Sequence, residues 1–310
     1  MTFRSRPLLL LLLPALLAAQ GLDRTVLAMG TRLSLHLEGA GHPGAASEAA
    51  LREAARLEAA CSTWDPASAW SRLNAAGGRA LPMDAEWLDL LAEAQAWQGR
   101  TGGAFDPVLG ALMRAWGIRE GGHRHPSPAE LERARRASGS ALLHLDRKAG
   151  TARLLDPGAA LEEGGFLKGY ALDRMRAVAG TPSGLLDFGG QLLAWGRPVE
   201  AEVADPRERR RPRLRILLKE ASLATSGTSE RGRHILDPRS GEPCPAWGAV
   251  AVVAPRGLTA DILSTALYVL GPERGLAWAD RHGTAAAFLL NDGTIRQSAA
   301  FRNLNPEELR

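Results

Sequence analysis

From Leu185 onward the chain reads as a succession of short strands. LLDFGGQLLAWG (185–196), RLRILL (213–218), SLATSG (222–227) and GAVAVVAP (248–255) follow one another with no helical period between them. A doubly wound parallel sheet needs a crossover helix between neighbouring strands. This run therefore points to an α+β fold with mixed or antiparallel sheets. Helical spacing is concentrated elsewhere. Ala50, Ala54, Leu57 and Cys61 mark one face of a helix over 47–61, with Ser47 as its N-cap. A second helix runs over 84–98, from Asp84 to a stop at Gly99. Ser127, Pro128 and Glu130 form a capping box that opens a short helix to about Ala137. Further helices are expected from about Gly165 to Ala179, over 259–270 and over 273–282. Paired strands are expected over 24–38, broken at Gly30, and at 142–146 with 152–156. A last hairpin turns around the NDG at 291–293.

The 310 residues are 45% hydrophobic, enough for one large core or two domains. Net charge is +4, carried almost wholly by Arg; the lysines are Lys148, Lys168 and Lys219. No basic run is interleaved with aromatics, so nucleic acid is not the expected partner. DPRERRRPR (205–213) reads as a solvated basic loop. At the N-terminus, Arg4 and Arg6 precede the apolar run Leu8–Leu13, then Pro14 and small residues at Ala18 and Ala19. Residues 1–20 are thus read as a secretory signal and 21–310 as one mature domain. The run is shorter than the ~20 residues of a spanning helix. The expected location is periplasmic or otherwise extracytoplasmic, at the inner membrane only if the signal stays uncleaved. Cys61 and Cys244 would both enter an oxidising compartment; they are read as two small buried residues, with a disulfide as the alternative.

One helix carries an odd face. In ADILSTALYVLG (260–271), Leu263, Leu267 and Leu270 follow helical spacing, yet Asp261 and Thr265 stand at i and i+4 and share a face. A carboxylate and a hydroxyl together offer hard oxygen donors suited to Mg²⁺. The structural alternative is that Asp261 serves the helix dipole and Thr265 bonds back to a carbonyl. Other segments carry smaller signals. TGGAFDP places Asp106 before a proline that can open a helix. EEGGFLKGYALD puts Gly164–Gly165 and Lys168 at a helix start, where backbone and ammonium can meet phosphate. The GxxxxGK[ST] order and the dinucleotide fingerprint are both absent. LATSG and RHILDPRSG bring hydroxyls near His234, a candidate base or ligand contact.

Taken in order, AMGTRLSLHL, STWDPASAWSRLN, TGGAFDPVLGALMRAWG, GGFLKGYALD, LLDFGGQLLAWG, LATSG, HILDPRSGEP and ADILSTALYVLG resemble the ApbE family of FAD:protein FMN transferases over roughly residues 25–301. The resemblance implies a two-part α+β fold with FAD in the cleft between the parts. It implies Mg²⁺ at the pyrophosphate and transfer of FMN from FAD to a threonine hydroxyl, releasing AMP. Asp261 and Thr265 match the family's metal ligands, completed by a backbone carbonyl at Gly165. Met29, Trp64, Ala104, Phe105, Asp106, Glu162, Lys168 and the His234–Ile235 pair match its FAD-contacting positions. Trp64 would stack on an aromatic ring of FAD.

The family usually has tyrosine where this chain has Trp64, and aspartate where it has Glu162. His234 is the candidate catalytic base, with Asp237 as the alternative, and Asp173 is expected to tie its helix down. The partner implied is an exported flavoprotein with a threonine acceptor, met at membranes only through its redox complexes. Two other readings fit the same residues: an FAD pyrophosphatase that yields FMN and AMP, and a periplasmic FAD carrier without turnover.

Overall fold

The computed structural model describes residues 21–39, 41–119, 124–228, 232 and 234–309. Residues 1–20, read above as a secretory signal, lie outside them. The first part of the chain forms β1 (Leu22–Ala28), β2 (Thr31–Glu38), α1 (Pro43–Cys61), α2 (Ala69–Asn74), β3 (Leu81–Pro82), α3 (Ala85–Arg100), α4 (Gly110–Ala115), α5 (Pro128–Arg136), β4 (Leu143–Asp146) and β5 (Thr151–Leu154). Next come α6 (Leu167–Ala179), β6 (Ser183–Phe188), β7 (Gln191–Trp195), β8 (Val199–Ala204), β9 (Pro212–Leu218), β10 (Ala221–Gly227) and β11 (Gly248–Ala254). The chain closes with α7 (Gly257–Arg281), β12 (Ala285–Leu290), β13 (Ile295–Gln297), α8 (Ala299–Arg302) and β14 (Glu307–Glu308).

Eight strands make the main sheet in the order β1-β2-β6-β7-β10-β11-β12-β13, which follows the chain from edge to edge. Every pairing among the described strands is antiparallel. The expected α+β class stands, and the sheets are antiparallel rather than mixed. Side chains alternate across this sheet. Leu33, Leu35, Leu37, Leu186, Phe188, Val250, Val252 and Phe288 pack against the helices α1, α6 and α7. Ala251, Ala287 and Leu289 face the opposite way, onto Val203, Leu214 and Ile216 of the small sheet β14-β9-β8. The result is helices, large sheet and small sheet in three layers. Each fully buried Leu, Val or Phe contributes about 1.5–3 kcal/mol. The segment between α1 and α6 holds α2 to α5 and the three-stranded sheet β3-β5-β4, and forms the second part of the molecule.

Several boundaries differ from the sequence reading. Helix α1 starts one turn earlier, at Pro43, because proline is pre-set for the first helical turn; Ser47 lies inside it, buried, and caps nothing. The two helices expected over 259–282 form one kinked element, broken where Gly271 takes φ 78° ahead of Pro272. Pro107 opens no helix; α4 begins at Gly110. The capping box at Ser127 and Glu130 is present in both directions. Cys61 and Cys244 are both buried, with no disulfide between them. Burial pushes the Cys61 thiol well up, which suits an inert core residue.

Candidate active site

Helix α7 is held from outside itself. Asp173, on α6, accepts hydrogen bonds from the Gly257 and Leu258 N–H groups at 2.6 and 3.1 Å, and so caps the start of α7. This is the tie expected of Asp173, directed at the neighbouring helix. The contact requires close backbones. A Cβ on Gly169 would stand 2.2 Å from the Gly257 carbonyl oxygen and 2.8 Å from Asp261 Cβ, so only glycine fits. That approach lets the Gly169 N–H donate to Asp261 Oδ2 at 2.9 Å.

The structural alternative for Asp261 and Thr265 fails on two counts. Asp261 is not in the first turn of α7, where a carboxylate serves the dipole; Asp173 already fills that place. The residue that bonds back to a helix carbonyl is Ser264, to Asp261 O at 2.9 Å, and its hydroxyl also meets Ser226 Oγ at 2.9 Å. The Thr265 hydroxyl makes no hydrogen bond among the described residues. A buried carboxylate without a cationic partner in contact is costly. Burial raises the pKa of Asp261, while the Lys168 ammonium and the Gly169 N–H oppose that rise.

The remaining groups gather from two directions. A Cβ on Gly165 would lie 3.3 Å from Thr265 Oγ1 and 3.4 Å from Phe105, so the Gly-Gly turn, Thr265 and the 101–107 loop meet at one point. Phe105 packs edge-on against Phe166 at 5.9 Å, and Phe166 stacks on Trp70. The 161–166 segment is fixed from both sides. Asn74 clamps the Leu161 backbone, accepting its N–H and donating to its C=O, and the Glu162 N–H donates to Pro107 O. Lys168 sits in the first turn of α6 with Nζ 3.5 Å from Gly164 O. Ala104 and Phe105 are buried beside this turn. Asp106 holds the loop together: its two carboxylate oxygens accept from the Val108 and Ser140 N–H groups, each at 2.8 Å. Burial raises its pKa against those two donors.

Trp64 lies on the rim with 63% of its surface exposed. Glu162 is buried close by. Burial first, and the neighbouring Glu163 second, push its carboxyl up to about 7, with the Arg119 guanidinium pulling the other way. Met29 occupies the two-residue turn between β1 and β2 with φ 46°, a left-handed conformation that is unusual for a non-glycine residue and clusters at functional sites. His234 and Ile235 come from the loop after β10. Ile235 is buried in the main core, and His234 Nδ1 lies 3.0 Å from Gly232 O. A carbonyl only accepts, so the neutral ring facing it carries its proton on Nδ1. Asp237, the alternative base, is bound by Arg239 at 2.8 and 2.7 Å; burial works to raise its pKa, but the Arg239 contacts outweigh it and hold it low. That makes Asp237 a poor proton acceptor.

The structure thus joins Gly165, Thr265, Asp261, Lys168 and Phe105 into one cluster, and Trp64 with Glu162 into another. Met29 and His234 arrive on separate loops. Arg119 and Glu163 were not singled out from the sequence. Nothing in RAWGIREGG marks that arginine, because its partners are distant in the chain. A cavity of about 450 Å³, lined by Thr259, Leu263, Trp97 and Trp278, lies on the opposite side of α7 from Asp261 and Thr265 and contains none of these groups.

Among the described residues there is no cluster of three His, Cys, Asp or Glu side chains able to hold a metal. The Asp261 carboxylate, the Thr265 hydroxyl and the Gly165 turn stand together beside Lys168. The ApbE family model matches residues 29–289, and the chain belongs to the ApbE family. It is 31% identical to an FAD:protein FMN transferase of Treponema pallidum, over 75% of this chain and 73% of the relative. Its fold is similar to the apo form of the Pseudomonas stutzeri flavinyl transferase ApbE (TM-score 0.83, 30% identity, 92% of this chain and 97% of that one). It is likewise similar to an ApbE protein of Thermotoga maritima (TM-score 0.85, 29% identity, 92% and 99%).

Proposed function

We propose that this protein is an FAD:protein FMN transferase that moves the FMN half of FAD onto a threonine hydroxyl of a flavoprotein and releases AMP. The single observation that carries this reading is the Asp261–Thr265 face: a buried carboxylate held by one backbone N–H and in contact with no cation, and a hydroxyl with no hydrogen bond among the described residues, beside the Gly165 turn. Asp261, Thr265 and the Gly165 carbonyl would hold Mg²⁺, and their all-oxygen donor set fits that ion. When bound, the ion would polarise a phosphoryl oxygen and ease departure of the AMP phosphate.

The chain's own residues supply the rest. Lys168 neutralises charge on the pyrophosphate. Trp64 stacks on an aromatic ring of FAD, and Met29, Ala104, Phe105 and Glu162 line its path, with Asp106 shaping that wall. The acceptor oxygen attacks the FMN phosphorus, the bond from that phosphorus to the AMP oxygen breaks, and the hydroxyl proton passes to the His234 ring. Alignment of the acceptor, the phosphorus and the leaving oxygen does most of the work in such transfers.

The sequence of residues 1–20 supports a place outside the cytoplasm, and an exported acceptor follows from it. Among the described residues no helix is long and apolar enough to cross a membrane.

The test is incubation of the purified protein with FAD and a threonine-bearing acceptor domain, with and without Mg²⁺, read by mass spectrometry. A Mg²⁺-dependent FMN adduct, lost in Asp261→Ala, supports the reading. Release of FMN and AMP without adduct, across several acceptors, would replace it with a pyrophosphatase. FAD binding with neither product would leave a carrier.

A further inference from the structure

One side chain joins the exposed Trp64 to the buried Glu162. The Arg119 guanidinium lies over the Trp64 ring, 4.6 Å from its centroid. Its Nε stands 3.2 Å from Glu162 Oε2, and a terminal nitrogen stands 3.8 Å from Glu163 Oε2. The Nε contact is a charge contact and not an aligned hydrogen bond, since neither atom finds a properly directed partner. The directed bonds go to Thr63: one nitrogen donates to its carbonyl at 3.1 Å, and another to its hydroxyl. Glu163 grips the same residue from the other side, accepting from the Thr63 N–H at 3.2 Å and from the Thr63 hydroxyl. Arg119 is mostly buried, with 16% of its side chain exposed, while the indole it covers is mostly open to solvent.

We propose that Arg119 is a positioning residue that braces the Trp64 ring on the Glu162–Glu163 pair, covering one face of the indole and leaving the other face to stack on FAD. This rests on the reading of Trp64 as the stacking surface. An exposed indole on a short loop has several rotamers open to it, and a ligand that needs one of them must bear the cost of selecting it. A planar cation on one face removes that freedom before the ligand arrives, at a site where the two carboxylates keep the cation itself in place. Thr63 fixes the backbone directly before the ring, so both ends of the indole are set.

The test is a double-mutant cycle on FAD affinity, measured by calorimetric titration of the full protein without acceptor, with a thermal melt to confirm folding. Trp64→Ala and Arg119→Ala are each expected to weaken FAD binding, Arg119→Ala by about five- to tenfold. In the Trp64→Ala background the Arg119 substitution should cost less than about twofold, because its effect passes through the ring. Arg119→Lys, which keeps the charge beside the carboxylates but not the planar stack, should recover only part of the loss. If Arg119→Ala misfolds, Arg119→Met completes the same cycle. Equal losses from the Arg119 substitution with and without Trp64 would overturn the proposal and assign Arg119 a purely electrostatic role. Unchanged affinity in Trp64→Ala would instead sink the stacking reading itself, and the proposal with it.

Discussion

Asp261 has the environment of a group awaiting a partner. It is buried, its carboxyl is pushed up by that burial, and one oxygen is tied to a backbone N–H. A bound cation is worth several kcal/mol of transition-state stabilisation, so Asp261→Ala should lower the rate of FMN transfer by about a hundredfold or more. Steady-state transfer at saturating Mg²⁺ checks this, and a variant within about threefold of the parent would remove Asp261 from the metal site. Glu162 gives a pH signature. Its ordinary carboxyl value is ~4.3, and in the folded protein it rises to about 7. The folded state therefore binds more protons than the unfolded state across that window, and stability falls as pH rises through it. Glu162→Gln should melt above the parent at pH 8, with the gap closing toward pH 5; a gap that does not change with pH would contradict this assignment.

At the scale of elements, the site depends on how closely α6 and α7 approach. The Asp173 cap and the Gly169–Gly257 contact set the height of Asp261 against the Lys168 turn. Asp173→Ala should cost about 0.5–2 kcal/mol in chemical denaturation, the usual range for a lost cap. Gly169→Ala should cost about 1–3 kcal/mol by overpacking and should depress transfer further than Asp173→Ala does, since its methyl group presses directly on Asp261 Cβ. Comparable activity in the two variants would mean that the height of α7 does not control the chemistry. These helices were legible in the sequence: the Leu263, Leu267, Leu270 spacing and the Gly-Gly turn before Lys168 locate both. Their contact was not, because local spacing carries no information about which backbone a glycine will meet. The short helices α2 and α4 and the strand β8 were also missed, since pieces of about six residues rarely show a full hydrophobic period. Helix α1 was entered four residues late because Ser47 is an attractive cap by type, while Pro43 already starts the turn.

Across the whole molecule, the three layers leave the helical face of the sheet and the α2–α5 part as the two walls from which the site groups project. A ligand that bridges those walls binds only the folded chain and must stabilise it. FAD with Mg²⁺ at a hundred times the apparent Kd should add about 2.7 kcal/mol, seen as a rise in melting temperature. In Asp261→Ala the Mg²⁺-dependent share of that rise should vanish while the FAD share persists. A full Mg²⁺ response in the variant would place the ion elsewhere.

The sequence by itself determined the class of fold, the order of most elements, and the face on which Asp261 and Thr265 stand, because periodicity and i, i+4 spacing are local properties of a chain. It also carried the ordered motifs that tie the chain to its family. Only the tertiary structure decided what those residues are free to do. It gave the cap of α7 to Asp173 and the back-bond to Ser264, which left Asp261 with one oxygen on the Gly169 N–H and Thr265 with no hydrogen bond among the described residues. It held Asp237 acidic against Arg239, and it brought Arg119 across 55 residues to the ring of Trp64. Hydrogen-bond saturation and charge pairing depend on neighbours in space, and the order of residues along a chain does not specify them.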